Sequence, residues 1–218
     1  MNSMKDHLLI SLRMTLVIAV LTCGIYPLVV FGIAQSVFPR KANGSFVESN
    51  GRVVGSELIG QSFTSEWYFH SRPSAAGYDA TASGGTNLGP TSKRLADSIA
   101  AAVEAYDVHS NVPADAVTSS GSGLDPDISP ANAYAQAARV AHANGLPVEQ
   151  VHALIKQHIE GRFLGIFGEP RVNVLRLNLA LLRVGPAFQP VPLRSLPLTV
   201  DGGQAGKPVL HEGHTVSR

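Results

Sequence analysis

MTLVIAVLTCGIYPLVVFGIAQSVFP, residues 14–39, contains no charged side chain. A helix that crosses a hydrocarbon core needs about 20 predominantly apolar residues, and this run exceeds that length. A cleaved secretory signal carries an apolar region of only about 7 to 15 residues, so the run reads as an uncleaved membrane anchor. Two residues in it are costly for a helix that meets only lipid. Pro27 removes a backbone donor and bends the helix, and Tyr26 beside it carries a hydroxyl to mid-membrane. One face is therefore expected to pack on partner helices, with Tyr26 and Pro27 as partner-facing residues. The single cysteine, Cys23, lies in the same run, so no internal disulfide is available to the rest of the chain.

The flanks do not orient the anchor. Lys5 and Arg13 precede it while Arg40 and Lys41 come after it, and the positive-inside comparison is a draw. A short N-terminal tail before a long C-terminal portion suits a signal anchor that exports the C-terminal portion. That arrangement puts residues 1–13 in the cytoplasm, 14–39 in the membrane and 40–184 outside as one domain. A formal net charge of +1, with 15% charged residues, gives no basis for a nucleic-acid partner.

The exported part reads as α+β. RVVGSELIGQSF (52–63) and EWYFH (66–70) are β-branched or aromatic and bounded by Gly and Ser, so they are expected to be strands or extended segments. TSKRLADSIAAAVEAY (91–106) sets Leu95, Ile99, Ala102, Val103 and Tyr106 at helical spacing, with Thr91 or Ser92 as cap. A second helix has Ser129 as N-cap and Pro130 at its first position, with Gly145 beyond its end. A third begins at Pro147 and stripes Val148, Val151, Leu154, Ile155 and His158. Asn173 is expected to cap a final helix that is apolar nearly all round and hence buried. From residue 185 the chain becomes rich in Pro and Gly without periodicity, which predicts a flexible tail over 185–218.

Several stretches invite a catalytic reading and fail it. SGGTNLGPTSK (83–93) approaches the phosphate-cradling pattern G-x-x-x-x-G-K-[ST], but Pro90 stands where the lysine is needed. Without that charge, and after a small polar stretch instead of a buried strand, it reads as a turn feeding a helix. Gly84, Gly85 and Gly89 would there supply positive φ or close backbone approach. SSGSG (119–123) fails the nucleophile-elbow spacing, because Ser122 is flanked at two residues by Ser120 and Leu124. Asp125 and Asp127 form either an acid/base or metal pair or an Asp-Pro turn. The eight histidines adopt no tight ligand spacing, and HEGH (211–214) falls in the tail, so no metal site is expected. Gln136 and Arg139, one turn apart, could meet a base or ribose and a phosphate, or dock the helix on the domain's own loop.

Taken in order, three long motifs carry a resemblance. GQSFTSEWYFHSRPSAAGYDATASGGTNLGP (60–90), VPADAVTSSGSGLDPDISPANAYAQAARVA (112–141) and GRFLGIFGEPRVNVLRLNLAL (161–181) resemble the C subunit of Kdp-type potassium-transporting P-type ATPases. So does the leading membrane helix with Tyr26-Pro27. The resemblance runs from about Leu8 to Leu182. It implies a single-pass protein of the bacterial inner membrane, with its domain outside the cytoplasm. The partners it implies are a channel-like potassium-translocating subunit, a P-type ATP-hydrolysing subunit and a small single-helix subunit. The role it implies is non-catalytic: support of assembly, and a catalytic-chaperone action that raises the ATP affinity of the hydrolysing subunit. ATP and K+ would belong to the complex. The motif residues Gly84, Gly85, Asn87, Gly89, Pro90, Ser120, Gly121, Gly123, Asp125, Pro126, Glu169, Pro170, Arg171 and Asn173 would then be structural or partner-facing. The competing function is a membrane-anchored binding module or hydrolase built on the Asp125/Asp127 loop.

Overall fold

A computed structural model describes residues 4–49, 51–106 and 111–184. The expected tail, 185–218, and the HEGH stretch lie outside the described residues. The fold is mixed α/β, and the chain divides at Gly60/Gln61 into two compact units. Residues 40–60, read from sequence with the exported domain, group with the helical unit.

In the first unit a continuous apolar helix of 34 residues, Met4–Val37, is long enough to cross a membrane. It begins upstream of the uncharged run, so Lys5, Asp6 and Arg13 belong to its first turns. Its parts are α1 (Met4–Ala19), a π-helical segment (Val20–Ile25) and α2 (Tyr26–Val37). The π segment is how the helix accommodates Pro27. A proline ring collides with the carbonyl four residues back and offers it no hydrogen. Widening the preceding turn relieves this, and Tyr26 N–H donates to Leu21 O, five residues back. Two hydroxyls inside the apolar run are satisfied on their own helix. Thr22 Oγ1 donates to Ile18 O at 2.7 Å and Ser36 Oγ to Gly32 O at 2.7 Å. After Phe38 a single turn, α3 (Pro39–Ala42), leads to an antiparallel hairpin, β1 (Phe46–Ser49) and β2 (Arg52–Ser56), with an irregularity at Val47/Glu48. Arg40 pairs with Glu57.

The second unit is helical with one small sheet. Its helices are α4 (Lys93–Glu104), α5 (Ala114–Val117), α6 (Pro130–Asn144), α7 (Val148–His158) and α8 (Val174–Val184). The strands are β3 (Asp127–Ile128), β4 (Ile159–Glu160) and β5 (Arg171–Asn173), antiparallel in the order β3-β5-β4. Sequence periodicity had no access to this sheet, because strands of two or three residues carry no alternation.

The caps read from sequence are in place. Ser129 Oγ accepts from Asn132 N–H at 3.1 Å, Pro130 opens α6, and Gly145 closes it at φ 64°. Asn173 Oδ1 accepts from Arg176 N–H at 3.1 Å and so caps α8. Ser92 occupies the N-cap of α4 without a side-chain cap bond. The core gathers Phe69, Val140, Ile155, Val172, Leu177 and Leu181, among others, where α6, α7, α8 and β5 meet. α8 buries Val174, Leu175, Leu177 and Leu181, as its apolar composition implied, and leaves Arg176 and Arg183 exposed. Residues 65–70 form no strand and run as an extended, turn-containing segment, with Phe69 wholly buried.

Candidate partner surface on two glycine-rich loops

The two glycine-rich loops pack against each other. Gly84 N–H donates to Ser122 O at 2.8 Å, and Ser83 Oγ donates to the same oxygen at 3.1 Å. The approach is too close for side chains. A Cβ on Gly85 would stand 2.8 Å from Gly121 O, and one on Gly123, at φ 70°, would stand 2.7 Å from Gly84 O. So the amide that a phosphate cradle would offer to an anion is given to a backbone carbonyl. Pro90 occupies the second position of a tight turn closed by Ser92 N–H to Gly89 O at 3.0 Å, where a proline's fixed φ is suitable. The three glycines of the first loop do not all serve the close approach expected of them. Gly84 and Gly89 lie outside the left-handed region, and a Cβ on either would meet open space. The close approach rests on Gly85 and Gly123, and the left-handed residue of the first loop is Asn87, at φ 53°.

Beneath the loops lies a clamp that sequence reading did not assign. Arg72 Nη1 pairs with Asp125 Oδ2 at 3.0 Å. Ser74 Oγ donates to Gly123 O at 2.5 Å and accepts from Tyr78 N–H at 3.0 Å. Tyr78 OH donates to Arg72 O at 2.6 Å, and burial pushes its pKa up, so it stays a protonated donor. Buried Ser120 accepts from Gly123 N–H at 2.9 Å. The outer rim, with Asn87, Gly89, Pro90 and Gly121, remains exposed. The only signal for the clamp was its place in the motif HSRPSAAGYDA, since Arg, Ser and Tyr in an irregular stretch keep no period.

The carboxylates that suggested an acid/base or metal pair are separately occupied. Asp125 faces Arg72, and its Oδ1 accepts from Asp127 N–H at 3.1 Å. Asp127 meets Arg171 Nε at 3.1 Å and accepts from Asn173 Nδ2 at 3.1 Å. Burial raises the pKa of Asp127, and these two partners oppose the shift. Pro126 O accepts from Val174 N–H at 3.0 Å, which joins this loop to α8. Glu169 pairs with Arg162 at 3.1 Å, and exposed Pro170 comes next. Among the described residues no three His, Cys, Asp or Glu side chains gather to hold a metal.

Gln136 and Arg139 face the protein's own segment 65–70. Gln136 is 5% exposed. Its Oε1 accepts from His70 N–H at 2.7 Å, while its Nε2 donates to His70 O at 3.2 Å and to Asn132 Oδ1 at 2.9 Å. Arg139 donates to the carbonyl of Glu66, to that of Tyr68 at 3.1 Å and to Gln136 Oε1 at 2.9 Å. Asp115 organises the start of α6 beside them, accepting from Ser129 N–H, Ser129 Oγ and Asn132 Nδ2 at 2.7 to 3.1 Å.

The family model described as "K+-transporting ATPase, c chain" matches residues 8–183, which contain both glycine-rich loops and the clamp beneath them. The chain belongs to the KdpC family. It is 57% identical over 179 residues to the potassium-transporting ATPase KdpC subunit of Nitratidesulfovibrio vulgaris, covering 78% of this chain and 91% of the relative. The corresponding subunit of Gemmatimonas aurantiaca is 57% identical over 185 residues (82% and 93%), and that of Mycobacterium bovis 52% over 189 residues (83% and 100%). The KdpC match thus spans both the membrane-competent helix, with Tyr26 and Pro27, and the unit that pairs the glycine-rich loops.

Proposed function

We propose that this chain is a non-catalytic, single-pass subunit of an ATP-driven potassium uptake complex of the bacterial inner membrane. Its second unit lies outside the cytoplasm, where its exposed loop rim docks on the potassium-translocating, ATP-hydrolysing and small single-helix subunits. K+ is the cargo of that complex, and ATP is bound on another chain. The observation that carries this reading is the internal engagement of the candidate reactive groups. Asp125, Asp127, Gln136 and Arg139 each bond to the protein's own loops, while the rim of the two glycine-rich loops stays exposed. No observation favours a hydrolase on the Asp125/Asp127 loop.

A chaperone effect on ATP affinity fits best as coupling between sites. A subunit that binds the ATP-competent state of its partner more tightly raises apparent nucleotide affinity without touching nucleotide. Gln136 and Arg139 act here as holders of segment 65–70.

Affinity purification of the tagged chain after mild detergent extraction tests the assignment. Polytopic potassium-transport subunits are expected to co-purify, and a chain recovered alone would overturn it. A periplasm-active reporter fused after Leu182 should be active; activity of only a cytoplasmic reporter would reverse the topology. Arg139→Ala should leave the half-saturating ATP concentration of the assembled complex unchanged, and a large rise would restore direct nucleotide contact.

A further inference from the structure

The loop between β4 and β5 is exposed along its length, yet its tip carries Phe163, Leu164, Ile166 and Phe167 at 72, 74, 72 and 61% exposure. Side chains of this size normally find cover, and four on one short tip form a surface meant to be covered. The tip is closed on itself. Phe163 N–H donates to Phe167 O at 2.8 Å and Phe167 N–H to Phe163 O at 2.9 Å. Gly165 N–H donates to Arg162 O at 3.0 Å and Ile166 N–H to Phe163 O at 3.2 Å. Leu164 sits at φ 54° and Gly165 at φ 74°, so the fold holds an aliphatic residue in the left-handed region. At the base, Arg162 and Glu169 pair at 3.1 Å.

We propose that this tip inserts into the interfacial layer of the bilayer, at the boundary between headgroups and acyl chains. The inference rests on the reading of Met4–Val37 as a membrane span, which tethers the tip to a lipid surface and makes its insertion an intramolecular event. Pairing four of the tip's N–H groups within the loop lowers the cost of entering a less polar medium, because unpaired N–H groups are costly there. The boundary layer still offers water to the remaining carbonyls. A protein interface carries about one hydrogen bond per 100–200 Å², and this tip keeps four of its N–H groups for itself. The Arg162–Glu169 pair forms a charged collar suited to headgroup depth, with the apolar side chains beyond it.

The test uses the full chain in vesicles of phosphatidylethanolamine and phosphatidylglycerol doped with lipid brominated near the headgroup end of its acyl chain. Trp67→Phe removes the native tryptophan, and Ile166→Trp or Ile33→Trp then reports the tip or the span. Insertion predicts blue-shifted emission from Ile166→Trp, quenched by roughly half, with the quenching lost when Phe167→Asp is added. A quenched Ile33→Trp beside an unquenched Ile166→Trp overturns the tip proposal and leaves the anchor standing. Blue-shifted but unquenched Ile166→Trp overturns it in favour of a protein cover. An unquenched Ile33→Trp overturns the anchor and the tip proposal with it.

Discussion

The side-chain amide of Asn178 brackets the backbone of Phe69, accepting from its N–H at 2.8 Å and donating to its carbonyl at 3.0 Å. Gln136 does the same to His70. Two amide side chains, from α8 and α6, thus take the part of a neighbouring strand for two consecutive residues. They let an irregular segment send Phe69 into the core without orphaned peptide groups.

Asn178→Leu should therefore be severe despite its apolar context. It leaves the buried N–H and C=O of Phe69 unpaired, at about 1–3 kcal/mol for each group. The expected loss is about 3 kcal/mol or more, read as the denaturant midpoint of the chain in detergent. A loss under about 0.5 kcal/mol would show that water or a shift of the segment replaces the amide.

Gly85→Ala and Gly89→Ala separate close packing from mere loop composition. The first drives a Cβ to 2.8 Å from Gly121 O and should cost about 1–3 kcal/mol. The second meets open space within the chain, so melting should match the parent. Equal behaviour of the two variants would mean that the loops do not pack as described. Pro90→Lys should confer no nucleotide binding in an equilibrium binding assay.

Acid should weaken the second unit through His70. Burial, then the nearby Arg139 guanidinium, lowers its pKa from 6.5, against a smaller opposing contribution from its bond to Ser65 O. The unfolded chain therefore takes up the proton first, and stability falls as pH drops from about 6.5 through the lower folded value, then levels off. Thermal melts across that window should show the loss in the parent and a flatter profile in His70→Gln. Parallel profiles would remove His70 as the cause.

Pro27→Leu tests whether the widened helical turn is a shape that partners read. Leucine restores an N–H that can donate to Cys23 O, so a regular α turn becomes available. The chain should remain in the membrane after alkaline extraction, while co-purification of partner subunits should fall several-fold. Unchanged co-purification would make the π segment a local accommodation of proline alone.

The membrane-competent helix, α6 with both its caps, and the buried α8 were legible in the sequence because they depend on local composition and spacing. An apolar run, a Ser-Pro start and a Gly stop act within a few residues of themselves. What Asp125, Asp127, Gln136 and Arg139 do was open at that level, because each residue's partner lies far away along the chain or sits in a loop with no period. Only the tertiary structure decided that Asp125 meets Arg72, that Gln136 brackets His70 and that Gly85 lies against Gly121. Likewise, the residues FLGIF (163–167) carry no period that assigns them to core or surface. Closing the chain between β4 and β5 turned them outward, because the short paired strands leave the intervening loop nothing in the core to pack on.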